Sequence, residues 1–200
     1  SSRKVLKDHI VVIGFGLNGQ NVANAAMDAG IRCAVVEEDP DLARKAQLVG
    51  LTVLVGDATN THLLEQAHVE RARVVVVAIS DAPQTLKIVA GVRSLSSTAH
   101  IIVRTRYVKD IQSNFDVGAN EVIPEEFETS IEIFHGVLRK YLVPERSIQE
   151  LVAHIRGNHY GMLRGTPMIA GPRAPVTADD GPEAMEIATV PVDLGRSRIA

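Results

Sequence analysis

The sequence predicts an α/β fold: a doubly wound parallel sheet of six strands whose connections are helices. Six short apolar segments alternate with helix-like segments between residues 10 and 123, and the connections are short. Parallel strands need crossovers, and crossovers are usually helices. One segment, Val74-Val75-Val76-Val77, is continuously apolar, as expected of a strand that is buried on both faces.

The first strand leads into a glycine-rich turn. The apolar, β-branched run Ile10–Ile13 precedes Gly14-Phe15-Gly16-Leu17-Asn18-Gly19, which has the spacing G-x-G-x-x-G, and a helix is predicted over residues 20–29. Strand, tight turn and helix start follow in the order of a Rossmann-like dinucleotide-binding turn. The N–H groups and the positive dipole end of such a helix attract an anion.

Each glycine of this turn has an expected role. Gly14 permits the tight turn, and Gly16 has no Cβ, so that a pyrophosphate can approach the backbone. Gly19 lets the helix lie close to the strand. Because the motif alone is not specific, its support has to come from the ends of the other strands.

The remaining elements are marked by glycine, proline and capping residues. Pro40 is suited to the first position of the second helix, with Asp39 as its cap. Thr59 or Asn60 is suited to cap the third helix. We predict strands over 31–36, 51–55, 73–79, 100–103 and 120–123, and helices over 41–49, 60–67, 83–95 and 107–115.

The pattern changes after the sixth strand. Residues 125–142 predict a long amphipathic helix that ends before Pro144, and its apolar residues recur every three or four positions. Ser147, with Glu150 as capping-box partner, is predicted to start a further helix that ends near residue 163. The apolar positions of the long helix are Phe127, Ile131, Phe134, Leu138 and Tyr141.

The last segment predicts a linker followed by a single strand. Residues 165–182 are rich in Gly, Pro and Ala, and residues 185–192 are strand-like. One strand does not make a domain. We therefore expect a linker or tag remnant over 1–8, a Rossmann domain over 9–143, a helical extension over 144–164, a linker over 165–183, and the start of a truncated C-terminal subdomain over 184–200.

Composition excludes several classes of function. A net charge of −3 and 4% aromatic residues argue against a dedicated nucleic-acid binder. Cys33 is the single cysteine, and we predict that it is a small buried apolar residue. A chain with one cysteine has no disulfide framework, which indicates a reducing, intracellular compartment. No apolar stretch approaches the ~20 residues that span a bilayer. His154 and His159 are five residues apart, and we predict none of the seven histidines to bind metal.

An acidic residue at the end of the second strand supports the glycine motif. Glu37 lies 18 residues after Gly19, close to the ~20 expected for the acid that binds a ribose hydroxyl. A carboxylate there repels a 2′-phosphate and so disfavours NADP. The alternative is a solvated charge at a helix start, which is the simpler interpretation of Glu38 and Asp39, although Glu38 also belongs to the candidate site.

The ends of the third and fourth strands add further candidates. Ligands of open α/β sheets bind over the carboxyl ends of the strands. Asp57 and Ala58 are placed to border an adenine, and Ile79 to pack against it. Helix capping is the alternative for Asp57. Ser80 and Asp81 are equally suited to cap the next helix.

Two arginines end the fifth strand. The guanidinium of Arg104 is suited to bind phosphate, since arginine is a planar bidentate donor. A surface ion pair with nearby acids is the alternative, and the two interpretations of Arg104 stay open. Arg106 is predicted to be structural.

Catalytic residues are not apparent in the sequence. It shows no Ser-His-Asp or Cys-His arrangement. Dehydrogenases on this fold carry a substrate domain with a catalytic acid or base, and two helices, a linker and a fragment leave little room for one. The nucleotide site is therefore expected to be a sensor and not an enzyme. The rival hypothesis is a fragment of an NAD-dependent oxidoreductase.

Five motifs follow one another in a fixed order along residues 9–143. They are His9-Ile10-Val11-Val12-Ile13-Gly14-Phe15-Gly16, Val36-Glu37-Glu38-Asp39-Pro40, Gly56-Asp57-Ala58-Thr59, Ile101-Ile102-Val103-Arg104 and Gly118-Ala119-Asn120-Glu121-Val122-Ile123-Pro124-Glu125. Together they resemble the RCK domain, also called the Trk-type (TrkA-N) nucleotide-binding domain. Residues 122–144 look most like the cytoplasmic tail of Kef-type potassium/proton antiporters, and 185–200 resembles the start of a C-terminal RCK subdomain.

The resemblance implies a regulatory domain at the cytoplasmic face of the inner membrane, attached to a transmembrane antiporter or channel. RCK domains bind NAD(H), AMP, ADP or ATP, and ligand-dependent dimer geometry gates the attached protein. The family commonly has Asp where this chain has Glu37, and we match no glutathione-site residues. A structural RCK domain with an empty site is a further alternative. The carried-over binding residues are Gly14, Phe15, Gly16, Leu17, Asn18, Gly19, Glu37, Asp57, Ala58 and Arg104.

The long helix from Glu125 matches the family's crossover helix, which packs on a partner subunit. Its apolar stripe would otherwise be partly exposed. Packing on its own domain is the alternative, and we expect a homodimer or a larger RCK assembly.

Overall fold

A single parallel sheet organises the computed structural model, which describes residues 6–157. The strands are β1 (Ile10–Ile13), β2 (Cys33–Glu37), β3 (Thr52–Val55), β4 (Val74–Val77), β5 (His100–Thr105) and β6 (Glu121–Pro124). The helices are α1 (Leu17–Asp28), α2 (Pro40–Leu48), α3 (Thr61–Gln66), α4 (Ala82–Leu95), α5 (Ile111–Asp116), α6 (Glu125–Lys140) and α7 (Glu145–Gly157), with short 3-10 turns at Val69–Arg71 and Val108–Asp110.

The strand order is β3-β2-β1-β4-β5-β6, and every pairing is parallel. The order reverses between β1 and β4, which places a crevice at the carboxyl ends of these two strands. The predicted six-stranded, doubly wound, Rossmann-like fold is confirmed.

Two cores lie on opposite faces of the sheet. Alternate residues of β1 serve both: Val11 and Ile13 pack in the larger core with α3 to α7, and Val12 packs in the smaller core with α1 and α2. Cys33 lies in the smaller core as predicted, and burial raises the pKa of its thiol to about 11.

The prediction that β4 is buried on both faces is only half right. Val75 and Val77 are fully buried, whereas Val74 and Val76 are partly buried. The smaller core contains side chains of α1, α2 and the first three strands, so its packing does not extend to β4.

The helix boundaries agree with their caps in most places. Asp39 caps α2 as predicted, accepting from the N–H groups of Asp41 and Leu42. Asn60, not Thr59, caps α3. Helix α1 begins three residues earlier than predicted, because Gly16 is its N-terminal cap position.

One predicted cap is wrong. Helix α7 begins at Glu145, so that Ser147 lies within its first turn, where the Ser147 N–H donates to the Pro144 carbonyl at 2.9 Å. Glu150 accepts from the Arg146 guanidinium at 3.0 Å and is no capping-box partner. Pro144 lies directly before α7. Its fixed φ and its missing N–H are compatible with this position, because the first N–H groups of a helix have no partner within the helix. The predicted end of this helix, the linker and the last strand lie outside the described residues.

No helix within residues 6–157 is long and apolar enough to cross a membrane.

The glycine turn and the first helix are so close that their backbones are in contact. A Cβ on Gly19 would lie 1.9 Å from the Gly14 carbonyl oxygen, which agrees with the expected close approach of α1 to β1. Gly14 has φ of +91°, and a Cβ there would lie 2.8 Å from Cγ2 of Ile79.

Replacing Gly19 with alanine is therefore expected to destabilise the fold by about 2 kcal/mol or more, because a backbone atom must move to admit the methyl group. Gly136→Ala is the matched control, since Gly136 is also helical and a Cβ there meets nothing within 4 Å. The control should stabilise by about 0.5–1 kcal/mol. Urea unfolding of both variants measures the difference, and equal stability of the two would contradict the close contact.

Candidate nucleotide-binding site

A cleft of about 320 Å³ lies over the carboxyl ends of β1 to β4, at the reversal of strand order. Half of the predicted site residues line it, and they come from four separate strand ends. The structure thus brings together segments that are distant in sequence. These residues are Gly14, Glu37, Glu38, Asp57, Ala58 and Ile79.

The start of α1 lies beside this cleft and has the features of a helix start that favours an anion. Gly16 is its cap position, no side chain of the described residues caps it, and its first turn contains no acidic residue. A Cβ on Gly16 would meet nothing within 4 Å, so the space next to its backbone is open. The side chain of Phe15 is buried in the smaller core, which leaves its backbone as the part that a ligand could contact.

Glu37 is the most constrained acid of the site. Only 7% of its surface is exposed, which contradicts the solvated-charge interpretation for this residue. Its Oε2 accepts from the Phe15 N–H at 2.5 Å, and its Oε1 accepts from the Asp39 N–H at 2.8 Å. A carboxylate oxygen has two lone pairs, so both oxygens retain capacity for a ribose hydroxyl. Glu38, next in sequence, is exposed at the cleft.

Asp57 forms a turn with its own neighbour. Its two carboxylate oxygens accept from the Thr59 N–H and the Thr59 hydroxyl, each at 2.8 Å. These hydrogen bonds lower the pKa of the exposed Asp57 carboxyl. The capping alternative for Asp57 is wrong, since Asn60 caps α3. Ala58, in contrast, is buried at the cleft.

The end of β4 supplies the opposite wall. Asp81 caps α4 by accepting from the Gln84 N–H at 2.8 Å, as its alternative interpretation held, and it also lines the cleft with Ser80. Gln84 and Ile88 of α4 line the cleft as well, and the sequence analysis missed them. The cap at Asp81 was a usable signal for Gln84, because it places that residue in the first turn of α4.

Arg104 lies behind the cleft wall and does not line the cleft. Its Nε and Nη2 donate to Oε1 and Oε2 of Glu125 at 2.6 and 2.5 Å. Its Nη1 donates to the Ile79 carbonyl at 3.3 Å and to the Ser80 hydroxyl at 3.0 Å. The ion-pair alternative is therefore realised, although only 18% of the Arg104 side chain is exposed.

Glu125, which binds Arg104, is the third residue that the sequence analysis missed, after Gln84 and Ile88. The hydrogen bonds from Arg104 lower the pKa of its carboxyl, and a hydrogen bond from Asn18 Nδ2 to Oε1, 3.0 Å long, adds to the effect. Glu125 thus joins the first turn of α1 to the end of β5. Arg106, predicted to be structural, is exposed with its guanidinium 5.4 Å from the centre of the Tyr107 ring.

Residues 6–157 hold no group of three His, Cys, Asp or Glu side chains placed to bind a metal ion.

Two relatives of the chain are potassium-efflux proteins by name. A protein assigned as a K(+) efflux antiporter, KefB, from Alkalimonas amylolytica is 31% identical over 159 residues, which is 80% of this chain and 24% of the relative. A glutathione-regulated potassium-efflux system protein of Haemophilus influenzae is 27% identical over 151 residues, which is 76% of this chain and again 24% of the relative. The chain spans about a quarter of their length.

Solved structures share the fold. The TrkA-N domain of the inner membrane protein ybaL from Escherichia coli has a TM-score of 0.63 at 23% identity, covering 64% of this chain and 96% of that one. The Shewanella denitrificans Kef CTD in its AMP-bound form has a TM-score of 0.63 at 19% identity, covering 78% and 98%. The GsuK channel bound to NAD has a TM-score of 0.56 at 24% identity, covering 60% and 22%.

The family comparison matches residues 10–125 to the TrkA-N domain. These residues contain the glycine turn, all four strand ends of the cleft and the ion pair of Arg104 with Glu125. The resemblance drawn from the sequence motifs is thereby confirmed, and the chain belongs to the TrkA-N domain family.

Proposed function

We propose that the chain is a nucleotide-sensing regulatory domain of a potassium (monovalent-cation)/proton antiporter or a related channel. It binds an adenine nucleotide, NAD(H) or AMP, ADP or ATP, and catalyses no reaction on it. The observation that carries the proposal is the open space beside Gly16 at the start of α1, next to a cleft at the reversal of strand order. The names of its relatives, which include potassium-efflux proteins and an AMP-bound Kef domain, support the same role.

The geometry suggests one orientation for the nucleotide. The phosphate lies at the start of α1, where Gly16 leaves room and the helix dipole favours negative charge. The ribose hydroxyls face Glu37. The base lies between the third strand end, with Asp57 and Ala58, and Ile79 on the fourth.

Gating by such a domain is a shift between populations. A ligand moves the equilibrium between two dimer geometries only by the difference in its affinity for them. The attached membrane domain then follows the favoured geometry. In this proposal the domain resides at the cytoplasmic face of the membrane and needs no chemistry on the nucleotide.

The surface of α6 supports the dimer. Phe127 and Ile131 are buried in the larger core, so the helix packs on its own domain as the alternative held. A second apolar set, Ile133, Val137 and Tyr141, is 65%, 50% and 79% exposed at four-residue spacing. We propose that these three residues, the α6 outer stripe, form the contact with a second copy.

One observation favours a structural domain with an empty site. Glu37 and Arg104 are already engaged, by backbone N–H groups and by Glu125 respectively. Such contacts would hold the fold together without any ligand. Direct binding measurements separate the two functions.

The decisive measurement is a thermal-shift panel with NAD, NADH, AMP, ADP and ATP. At about 100 times its Kd, a nucleotide stabilises the folded state by about 2.7 kcal/mol and raises Tm by about 5–10 °C. Gly16→Val should abolish the rise while leaving the Tm of the unliganded protein within about 2 °C, because the added side chain enters space that is open in the folded protein.

Gly157→Val is the control, since a Cβ on Gly157 also meets nothing within 4 Å but lies at the end of α7. It should keep the full ligand response. If calorimetry detects no binding of any of the five nucleotides to the wild-type protein, the structural alternative is correct and the sensor proposal is not.

The buried carboxylate of Glu37 predicts that the site discriminates against nucleotides that carry a 2′-phosphate on the ribose. Adenosine 2′,5′-bisphosphate, which is AMP with a phosphate on the 2′-hydroxyl, should bind at least about tenfold more weakly than AMP because its extra phosphate faces a buried carboxylate. Glu37→Gln should narrow this ratio, whereas Asp41→Asn, an equal charge change at the start of α2, should not. Equal affinities of the wild-type protein for the two ligands would remove Glu37 from the ribose site.

The α6 outer stripe predicts a dimer at micromolar concentration. Val137→Asp places a charge in the contact and should shift the sedimentation mass to that of a monomer. Arg139→Asp lies two residues, and thus more than half a helical turn, away and should leave the dimer intact. A monomeric mass for the wild-type protein would refute the proposed contact.

A further inference from the structure

The carboxylate of Glu125 lies between two groups that are suited to bind phosphate. Nε and Nη2 of Arg104 both donate hydrogen bonds to this carboxylate, in the bidentate geometry that suits a carboxylate and a phosphate equally well. Asn18 donates its side-chain amide to the same carboxylate from the first turn of α1. The hydrogen bond from Asn18 therefore connects Glu125 to the start of α1, where an anion is favoured.

The ion pair lies directly behind one border of the cleft. Ile79 and Ser80, which line the cleft, accept hydrogen bonds from Nη1 of Arg104. Beyond this border, at the ends of β4 and β5, the neighbouring cavity measures only about 50 Å³. Binding pockets for small molecules are commonly about 300–1,000 Å³, so this side offers little room for the second half of a dinucleotide.

We propose that Glu125 is a specificity-determining residue that restricts the site to nucleotides with a single phosphate, such as AMP. The inference rests on the proposed nucleotide site. The carboxylate occupies the guanidinium and amide donors that a second phosphate would use. ADP, ATP and NAD have to displace Glu125 from Arg104 and Asn18 before their second phosphate finds a cationic partner, whereas AMP leaves the ion pair intact.

The electrostatics favour this competition. Arg104 keeps Glu125 ionised by lowering the pKa of its carboxyl. The pair is partly buried, with side-chain exposures of 18% and 40%, so its charges are less screened than those of a surface pair. A second phosphate therefore meets a like charge at short range.

A simpler role for Glu125 is that of an acid at the start of α6, where the helix dipole favours it. Glu126 is the matched comparison. It lies in the same first turn, but its carboxylate accepts from the Val108 N–H at 3.1 Å, away from Arg104. A dipole effect alone predicts the same consequences for both residues.

The test is the affinity of AMP, ADP and NAD, measured by calorimetry, for the wild-type protein, Glu125→Gln and Glu126→Gln. The wild-type protein should prefer AMP over ADP and NAD by at least about tenfold. Glu125→Gln should raise the affinity for ADP and NAD by at least about tenfold and change that for AMP by less than about threefold. Glu126→Gln should leave the ratios unchanged.

Arg104→Gln provides an independent arm if Glu125→Gln lowers stability too far for calorimetry. It removes the cation for which the second phosphate competes, so the ratio of ADP to AMP affinity should stay constant or fall. A rise of that ratio in Arg104→Gln, equal ratios in the two Glu→Gln variants, or wild-type binding of NAD as tight as that of AMP would each overturn the inference. AMP binding with unaltered ratios overturns this inference alone, while absence of all nucleotide binding overturns the sensor proposal as well.

Discussion

The backbone contact between the start of α1 and the turn after β1 is the constraint on which the rest of the site depends. A single methyl group at Gly19 would lie 1.9 Å from the Gly14 carbonyl oxygen, so α1 lies closer to the turn after β1 than any side chain at position 19 would allow. Gly14 in turn lies against Ile79 at the end of β4. The helix start, β1 and β4 are therefore held at one point, and the strand order reverses there. The crevice that results is a consequence of this packing and of the right-handed crossovers.

Such a turn leaves backbone N–H groups that need hydrogen-bond acceptors, and a buried carboxylate supplies them. Glu37 accepts from Phe15 and Asp39, and so fixes the turn to the end of β2 before any ligand arrives. A buried carboxylate is tolerated only when hydrogen-bonded. The residue expected to bind ribose thus also organises the glycine turn. Under the proposed function these roles agree, because a site that is ordered without ligand loses less entropy on binding.

Most of the fold could be predicted from the sequence, because local signals specify it: apolar runs for strands, Asp39 with Pro40 for α2, and glycines for the turn. Errors arose where tertiary packing decides. Ser147 is a residue type suited to a cap, yet α7 begins two residues before it, at Glu145, directly after Pro144. The partly buried side chains of β4 depend on how far the smaller core extends. The triad of Asn18, Arg104 and Glu125 joins residues as many as 107 positions apart, and no periodicity reports such a contact. Gln84 and Ile88 reach the cleft through the placement of α4, which the sequence does not state.

Helix α6 connects the surroundings of the candidate site with an exposed apolar surface. Its first residue, Glu125, is bonded to the first turn of α1 and to the end of β5, while the α6 outer stripe lies up to four turns further along the same helix. At 1.5 Å per residue, its 16 residues span about 24 Å, so one continuous helix joins these two places. Under the proposed function, displacement of Glu125 by a second phosphate frees the anchored end of α6 and changes the orientation of the stripe. The available coupling energy is then the free energy of the Glu125 contacts, which a ligand with one phosphate leaves intact. If Glu125 sets the phosphate specificity as proposed, the site distinguishes nucleotides by the number of their phosphates, and α6 is suited to transmit that distinction because it contacts the first turn of α1 at one end and carries the α6 outer stripe towards the other.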